Sequence, residues 1–359
     1  MSSPVLVPAP DVIPVPWGWF QALLLVTFVL HLLFMNTMVG SAVISFAEKL
    51  AGALKGRDEI HRDTSIRLPY IIAFAVNLGV PPLLFFSVLW GNVGYVATTL
   101  MAVWWLSVIA ILIAAYYGAY IWRYRFDRLG SAATVLVGLV SLLLLFVGFV
   151  FVNNFSMLLR PESWEAYFDN PSGTLLNLGD PTLWPRYLHF VAASLAVGGL
   201  FRAVVWSRRK RRGDEGATRG IESGMRWFFW ATLVQIAVGL WYLLVQPGRV
   251  LDLFLGDSAL HTALLGAGIL LAVSMLVTAF RGKVAATAIH LVLTIAVMAG
   301  IRETVRFASL KGHFTPDTLV VDAQYSPMVL FLAAFVVGIA VVVYMLRLVW
   351  RVAARGGER

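Results

Sequence analysis

Cysteine is absent from the 359-residue chain. Its absence excludes disulfides, thiolate-held iron–sulfur clusters and haem attached through Cys-x-x-Cys-His, so iron held here would need His, Met or a carboxylate. Charge is scarce as well. Only 13% of residues are charged against 60% hydrophobic, and the mean hydropathy is +0.81. This excludes a soluble domain of ordinary surface and leaves a polytopic membrane protein. Met1 to Pro16 contains no Lys or Arg. It lacks the basic n-region of a cleaved signal peptide and reads as a retained outer segment. No low-complexity tract, internal repeat or soluble domain interrupts the rest, and residues 1–359 read as a single membrane domain.

The formal net charge of +9 does not point to nucleic acid, because Lys and Arg sit in short clusters between apolar runs. Runs of about 20 residues or more, enough to span a bilayer, occur at 19–47, 69–91, 97–122, 131–152, 185–206, 226–246, 259–280, 284–303 and 326–350. The expected fold is therefore an all-α bundle of nine transmembrane helices. Lys49, Lys55, Arg57, Arg62 and Arg67 follow the first run, and Arg123, Arg125 and Arg128 the third. Arg208 to Arg212 follow the fifth, Arg281 and Lys283 the seventh, and Arg347, Arg351, Arg355 and Arg359 the ninth. Every odd-numbered helix then ends in the cytoplasm, which gives N-terminus out and C-terminus in. The longest outer loop, 153–184, mixes Pro161, Pro171 and Pro181 with Trp164, Tyr167 and Trp184. That mixture suits a folded cap at the headgroups. A smaller outer loop runs from Arg306 to Pro327.

Polar residues inside such runs mark function more often than packing. His31 interrupts Phe28-Val-Leu-His31-Leu-Leu-Phe34, and His189 lies in Arg186-Tyr-Leu-His189-Phe-Val-Ala-Ala-Ser194. His189, His261 and Glu303 share one layer about one turn below the outer surface, and His31 lies deeper, about 12 to 18 Å down by helical rise. A His pair suits a low-spin b-type haem, while a His or Glu facing an open position suits a high-spin one. Arg186, Arg302 and Arg306 lie where haem propionates need cations. Each of these residues also has a plainer reading. His31 and His189 are alternatively bonded to a neighbouring helix, His261 caps its helix behind Asp257 and Ser258, and Glu303 is a helix-end ion pair with Arg302 and Arg306. His290 lies about 20 Å along its helix from Glu303 and suits a structural, proton or quinone contact. His61 and His313 read as solvated loop residues.

Several motifs are similar to those of the haem-bearing large subunit, subunit I, of cytochrome bd quinol oxidases. The first helix of that family has a haem-ligating His followed by an aromatic-Leu-Phe type run, which His31-Leu-Leu-Phe-Met-Asn-Thr-Met-Val-Gly40 resembles. Ile72-Ala-Phe-Ala-Val-Asn77-Leu-Gly-Val80, Phe86-Ser-Val-Leu-Trp-Gly91, Phe126-Asp-Arg-Leu-Gly130 and Asn154-Phe-Ser-Met157 match further segments in the same order. Arg186-Tyr-Leu-His189-Phe-Val-Ala-Ala-Ser194 resembles the stretch whose His ligates the low-spin haem, and Glu303-Thr-Val-Arg306 fits a Glu-x-Gly-Arg whose Glu ligates a high-spin haem. The likeness covers roughly the first 210 residues and thins beyond them. Leu264 falls where the family has a ligating Met, with His261 one turn earlier, and the Gln-Pro-Trp after the Glu motif is missing. Ser107 and Ala115 stand where the family carries two acidic residues on its proton path, and the quinol-binding loop shrinks to Gln246–Asp257.

The resemblance implies a membrane haem-b electron-transfer subunit in a bacterial or archaeal cytoplasmic membrane. Two or more haems are expected, held by His189 with His261 and by His31 with or without Glu303, the group at His31 being high-spin. Arg186 and Arg306 would meet propionates. Electrons would pass between quinol and a periplasmic cytochrome c or iron–sulfur partner, alongside other membrane subunits. Two rivals stand beside it: a minimal oxygen reductase of the same type, and a haem-free anchor or transporter.

Overall fold

The computed structural model describes residues 7–52 and 58–356. Lys55, Arg57 and Arg359 from the basic clusters, and Met1 to Leu6 of the outer segment, lie outside the described residues. Among the described residues nine helices are long and apolar enough to cross a membrane, as the hydropathy pattern predicts. They are α1 (Trp17–Leu50), α2 (Asp58–Leu100), α3 (Ala102–Tyr124), α4 (Ala132–Leu158), α5 (Leu183–Lys210), α6 (Ala217–Leu244), α7 (Ala259–Phe280), α8 (Val284–Leu310) and α9 (Tyr325–Gly356). β structure among the described residues is confined to one isolated bridge, Ile13 with Val321. That bridge pins the segment before α1 to the loop after α8 through Ile13 N–H to Val320 O at 2.9 Å and Asp322 N–H to Ile13 O at 3.0 Å.

Several helices outrun their apolar spans. α6 begins nine residues before the expected 226, and α8 runs on to Leu310. Their polar ends satisfy backbone groups by continuing the i to i−4 ladder, which is cheaper than ending it at the bilayer edge. α2 fills the expected gap before the third span and leaves only Met101 between itself and α3. It does so by bending at Trp90, whose φ of −128° and ψ of 17° break the helical run.

Successive helices alternate in direction. One end of the bundle carries the cap, and the other carries the described basic clusters. The cap is a short 3₁₀ helix, Pro161–Tyr167, followed by a chain held by Asp180. The Asp180 carboxylate accepts from Thr182 N–H at 2.8 Å, Thr182 Oγ1 at 3.0 Å, Ser156 Oγ and Arg160 Nη2 at 3.1 Å. Trp164 Nε1 donates to Met157 O at 3.0 Å. These bonds tie the loop to the ends of α4 and α5.

Small residues let the central helices approach closely. A Cβ on Gly40 of α1 would strike the Ser194 carbonyl of α5, and one on Gly199 of α5 would lie 2.7 Å from Gly224 O of α6. With lipid as apolar as leucine, such close packing replaces the hydrophobic effect as the force between helices. α5 is accordingly the most buried span and α9 has no buried residue in its span.

At the basic end, Glu48 of α1 and Arg202 of α5 form an ion pair in which both side chains are almost fully buried. Arg202 Nη1 donates to the two Glu48 oxygens at 2.7 and 2.9 Å, and Ser223 Oγ and Trp227 Nε1 of α6 donate to Oε1 at 3.1 and 2.8 Å. One carboxylate thus ties three helices together. His61, expected in solvent, is instead buried on α2 beside Ile60 and the Trp206 cluster, because α2 starts early enough to carry it under α5.

Candidate functional site

His189 sits six residues into α5, about 9 Å below the cap end by helical rise. Its ring lies against the backbone of α6, where a Cβ on Gly239 would come within 3.1 Å of Cε1 and 3.2 Å of Nδ1. Gln235, one turn away on α6, places its amide nitrogen 3.4 Å from Nε2. An amide nitrogen donates, so Nε2 accepts and Nδ1 carries the proton. Nδ1 is buried. The imidazole therefore has one long hydrogen bond on Nε2, while its Nδ1 faces the α6 backbone at the Gln235 carbonyl, much as His31 Nδ1 faces that of Ala75.

His31 stands in a similar slot on the neighbouring pair of helices. A Cβ on Gly79 of α2 would lie 2.9 Å from its Cε1. Its Nδ1 donates to the Ala75 carbonyl at 3.0 Å, which leaves the Nε2 lone pair without a hydrogen-bond partner among the described residues. Imidazoles that bind metals carry this same backbone contact on their other nitrogen. Both rings thus abut a glycine of the adjacent helix, and His31 has a lone-pair nitrogen without a partner among the described residues.

Glu303 and its arginines form a separate group seven residues from the end of α8. Glu303 Oε2 accepts from Arg306 Nη1 at 2.9 Å and Gln21 Nε2 of α1 at 3.3 Å, and Oε1 accepts from Arg302 Nη1 at 3.2 Å. The Arg302 guanidinium lies over Phe28 at 4.4 Å and Phe155 at 4.5 Å. Arg306 lies over Phe86 at 5.0 Å and Trp90 at 5.3 Å. The bend in α2 is what brings Trp90 here, where it also meets Phe307 edge-on at 5.0 Å. Arg186, over Tyr242 at 5.4 Å, is near enough to act electrostatically on both Arg302 and Arg306. Three cations and one carboxylate share a largely desolvated layer, and such an excess calls for an anion.

His261 lies two residues into α7, its Nδ1 2.7 Å from Ser258 Oγ and its ring edge-on to Phe254. No described contact joins it to His189, which packs on α6. His31 is ten residues further along α1 than Gln21, the residue that reaches Glu303, a step of about 15 Å. His290 has its Nδ1 3.4 Å from Ser274 Oγ on α7, at the basic end. His313 is exposed, as its loop position suggests, and its Nε2 lies 3.1 Å from Glu162 of the cap. Sequence reasoning missed Gly79, Gly239 and Gln235. A glycine one helix away from a histidine carries no mark in the sequence until the register of the two helices is known.

These residues fit an axial porphyrin ligand better than a metal cluster. Among the described residues no three His, Cys, Asp or Glu side chains are placed to hold a metal ion, and each imidazole stands singly. The unpartnered His31 Nε2 and the surplus guanidinium charge are features that a flat, acid-bearing group would use.

The described residues define an all-helical membrane protein with nine helices long and apolar enough to span the bilayer. Comparison with solved structures finds a chain of the bd oxidase from Geobacillus thermodenitrificans at TM-score 0.70, covering 94% of this chain and 98% of that one at 15% identity. The two chains share a fold, at nearly equal length. No protein-family description and no curated protein matches the sequence.

Proposed function

We propose that this chain is a haem-b electron-transfer subunit of the cytochrome bd type, taking electrons from quinol and passing them to a redox partner beyond the capped end. His189 and His31 are the axial ligands in this reading, Glu303 is the further ligand that the resemblance implies, and His261, one turn before the family's Met position, is the suggested partner of His189. The carrying observation is the pair of single imidazoles at membrane depth, each against a glycine of the next helix, with the His31 Nε2 lone pair unpartnered among the described residues and the His189 Nε2 lone pair held only by a long contact from Gln235. Haem supplies one-electron transfer when bound.

The chain's own residues do the rest. Ala75 O fixes the tautomer of His31 so that Nε2 is the nitrogen presented. Gln235 orients His189. Arg186, Arg302 and Arg306 neutralise acidic groups in a layer where water is scarce. The distribution of Lys and Arg supports basic clusters in the cytoplasm and the cap outside, in a bacterial or archaeal cytoplasmic membrane. A cytochrome c or iron–sulfur protein would then receive electrons at the cap, and further membrane subunits would complete the complex.

The positions that would serve oxygen reduction favour a relay over an oxidase. Ala115 is fully buried among apolar side chains, and Ser107 Oγ is spent on its own helix carbonyl, Trp104 O, at 2.7 Å. Neither carries a proton inward. Adding a short-chain quinol to the purified protein under air separates the readings: haem reduction without oxygen uptake supports the relay, whereas sustained quinol-dependent uptake overturns it in favour of a minimal oxygen reductase.

A further inference from the structure

A cavity of about 270 Å³ opens at the capped end, between the cap, the start of α5, the α6–α7 turn and the end of α8. Its walls are charged. Two carboxylates face it, and both are already engaged: Asp180 by Arg160 and its cap donors, Glu162 by His313. Two arginines also face it and have no such partner. Arg249 Nη2 donates to the Ser309 carbonyl at 2.8 Å, and no carboxylate stands within 4.0 Å of its guanidinium among the described residues. Arg186 has its Nε buried with no partner, while its guanidinium lies over Tyr242.

Two unpaired guanidiniums at one cavity select an acidic group with several oxygens, since forked N–H donors match phosphate. The volume equals that of roughly nine liquid waters at about 30 Å³ each, enough for a phosphate with a short polar substituent. A quinone ring would want apolar walls in place of these charges. Position names the source. The cavity lies level with the helix ends, and Trp241 and Leu244, on the last turns of α6 before the lining residue Gln246, are exposed. Forked guanidinium donors at a cavity that opens at the helix ends fit the phosphate of a lipid headgroup.

We propose that this cavity binds the phosphate of an anionic phospholipid through Arg249 and Arg186. Arg249 lies outside the haem-binding set and carries the test, whereas Arg186 is shared with the propionate role given to it in the electron-transfer reading.

The test titrates purified full-length protein in a zwitterionic detergent with phosphatidylglycerol, phosphatidylcholine or inorganic phosphate, following thermal unfolding by tryptophan fluorescence. Arg208→Gln, which removes an exposed charge at the basic end, is the control for diffuse attraction. Phosphatidylglycerol is expected to raise the midpoint of the wild type and of Arg208→Gln, with Arg249→Gln needing about tenfold more lipid for the same shift, the usual loss for one charge-assisted contact. A response to inorganic phosphate alone, lost in Arg249→Gln, keeps the phosphate site and overturns its lipid source. Equal responses to phosphatidylglycerol and phosphatidylcholine, or equal losses in the two variants, overturn the site altogether. So does a fall in haem content in Arg249→Gln with its lipid response intact, because the cavity would then serve haem acids.

Discussion

Substituting Glu48 by alanine would remove the acceptor that joins α1, α5 and α6. Arg202 would be left as a buried cation at 6% exposure, with Ser223 and Trp227 losing the same partner. Deleting one member of a buried pair costs about 3–5 kcal/mol, mostly from the charge stranded behind. Replacing both members by apolar side chains of similar size, Glu48→Leu with Arg202→Met, removes the stranded charge and is about neutral or stabilising. The double variant should therefore recover nearly all that the single one loses, which is strong non-additivity. Thiol-reactive dyes are silent on a chain without cysteine, but 13 tryptophans report unfolding by intrinsic fluorescence. At roughly 2 °C per kcal/mol, Glu48→Ala should lower the midpoint by about 6–10 °C. A Glu48→Ala protein that melts like the wild type, or a double variant as unstable as the single, would refute the claim that this pair is desolvated and shared by three helices.

Filling the glycine slots should displace the imidazoles: Gly239→Val and Gly79→Val put side-chain atoms where the His189 and His31 rings now lie, and each should lower haem content measured as the pyridine haemochrome. Unchanged haem in both would show that the slots hold no ligand. His290→Ala should leave haem content unchanged, since its ring touches Ser274 at the basic end and none of the candidate site. The tie between cap and α8–α9 loop depends on pH. Burial opposes ionisation of Glu162, but the bond to its own N–H and the facing His313 outweigh it and hold the carboxyl below the ordinary range. A depressed carboxyl contributes above its unfolded value, about 4.3, and that contribution fades as pH falls through the folded value. Acid-active protease should cut 311–324 faster in the wild type as pH drops below about 4, with Glu162→Gln fast throughout. Equal rates in the two proteins across that range would contradict it.

Hydropathy made the nine spans legible, because each needs its own long apolar run. Helix ends were less so: α6 and α8 continue past the apolar stretch, where backbone satisfaction and not side-chain character decides the boundary. The bend at Trp90 was hidden inside a sequence that reads as a stop and a fresh start. Candidate ligands stood out because a histidine among leucines is conspicuous, whereas their surroundings did not. Gly79 lies in the same Asn77-Leu-Gly79 segment that supports the resemblance, yet its place across from His31 depends on the register of α1 against α2. Glu48 and Arg202 read as ordinary neighbours of the basic loops, since their 154-residue separation conceals the pairing. His61 went astray for a related reason, as its charged neighbours suggested a loop while α2 had already begun.

Haem stoichiometry, with a reduced-minus-oxidised spectrum of the wild type beside His189→Ala, addresses the central claim most directly. The account predicts haem b bound to the purified wild-type chain and loss of the low-spin band in the variant, with the remaining haem retained. A wild-type chain purified without haem, or a variant with an unaltered spectrum, would contradict it.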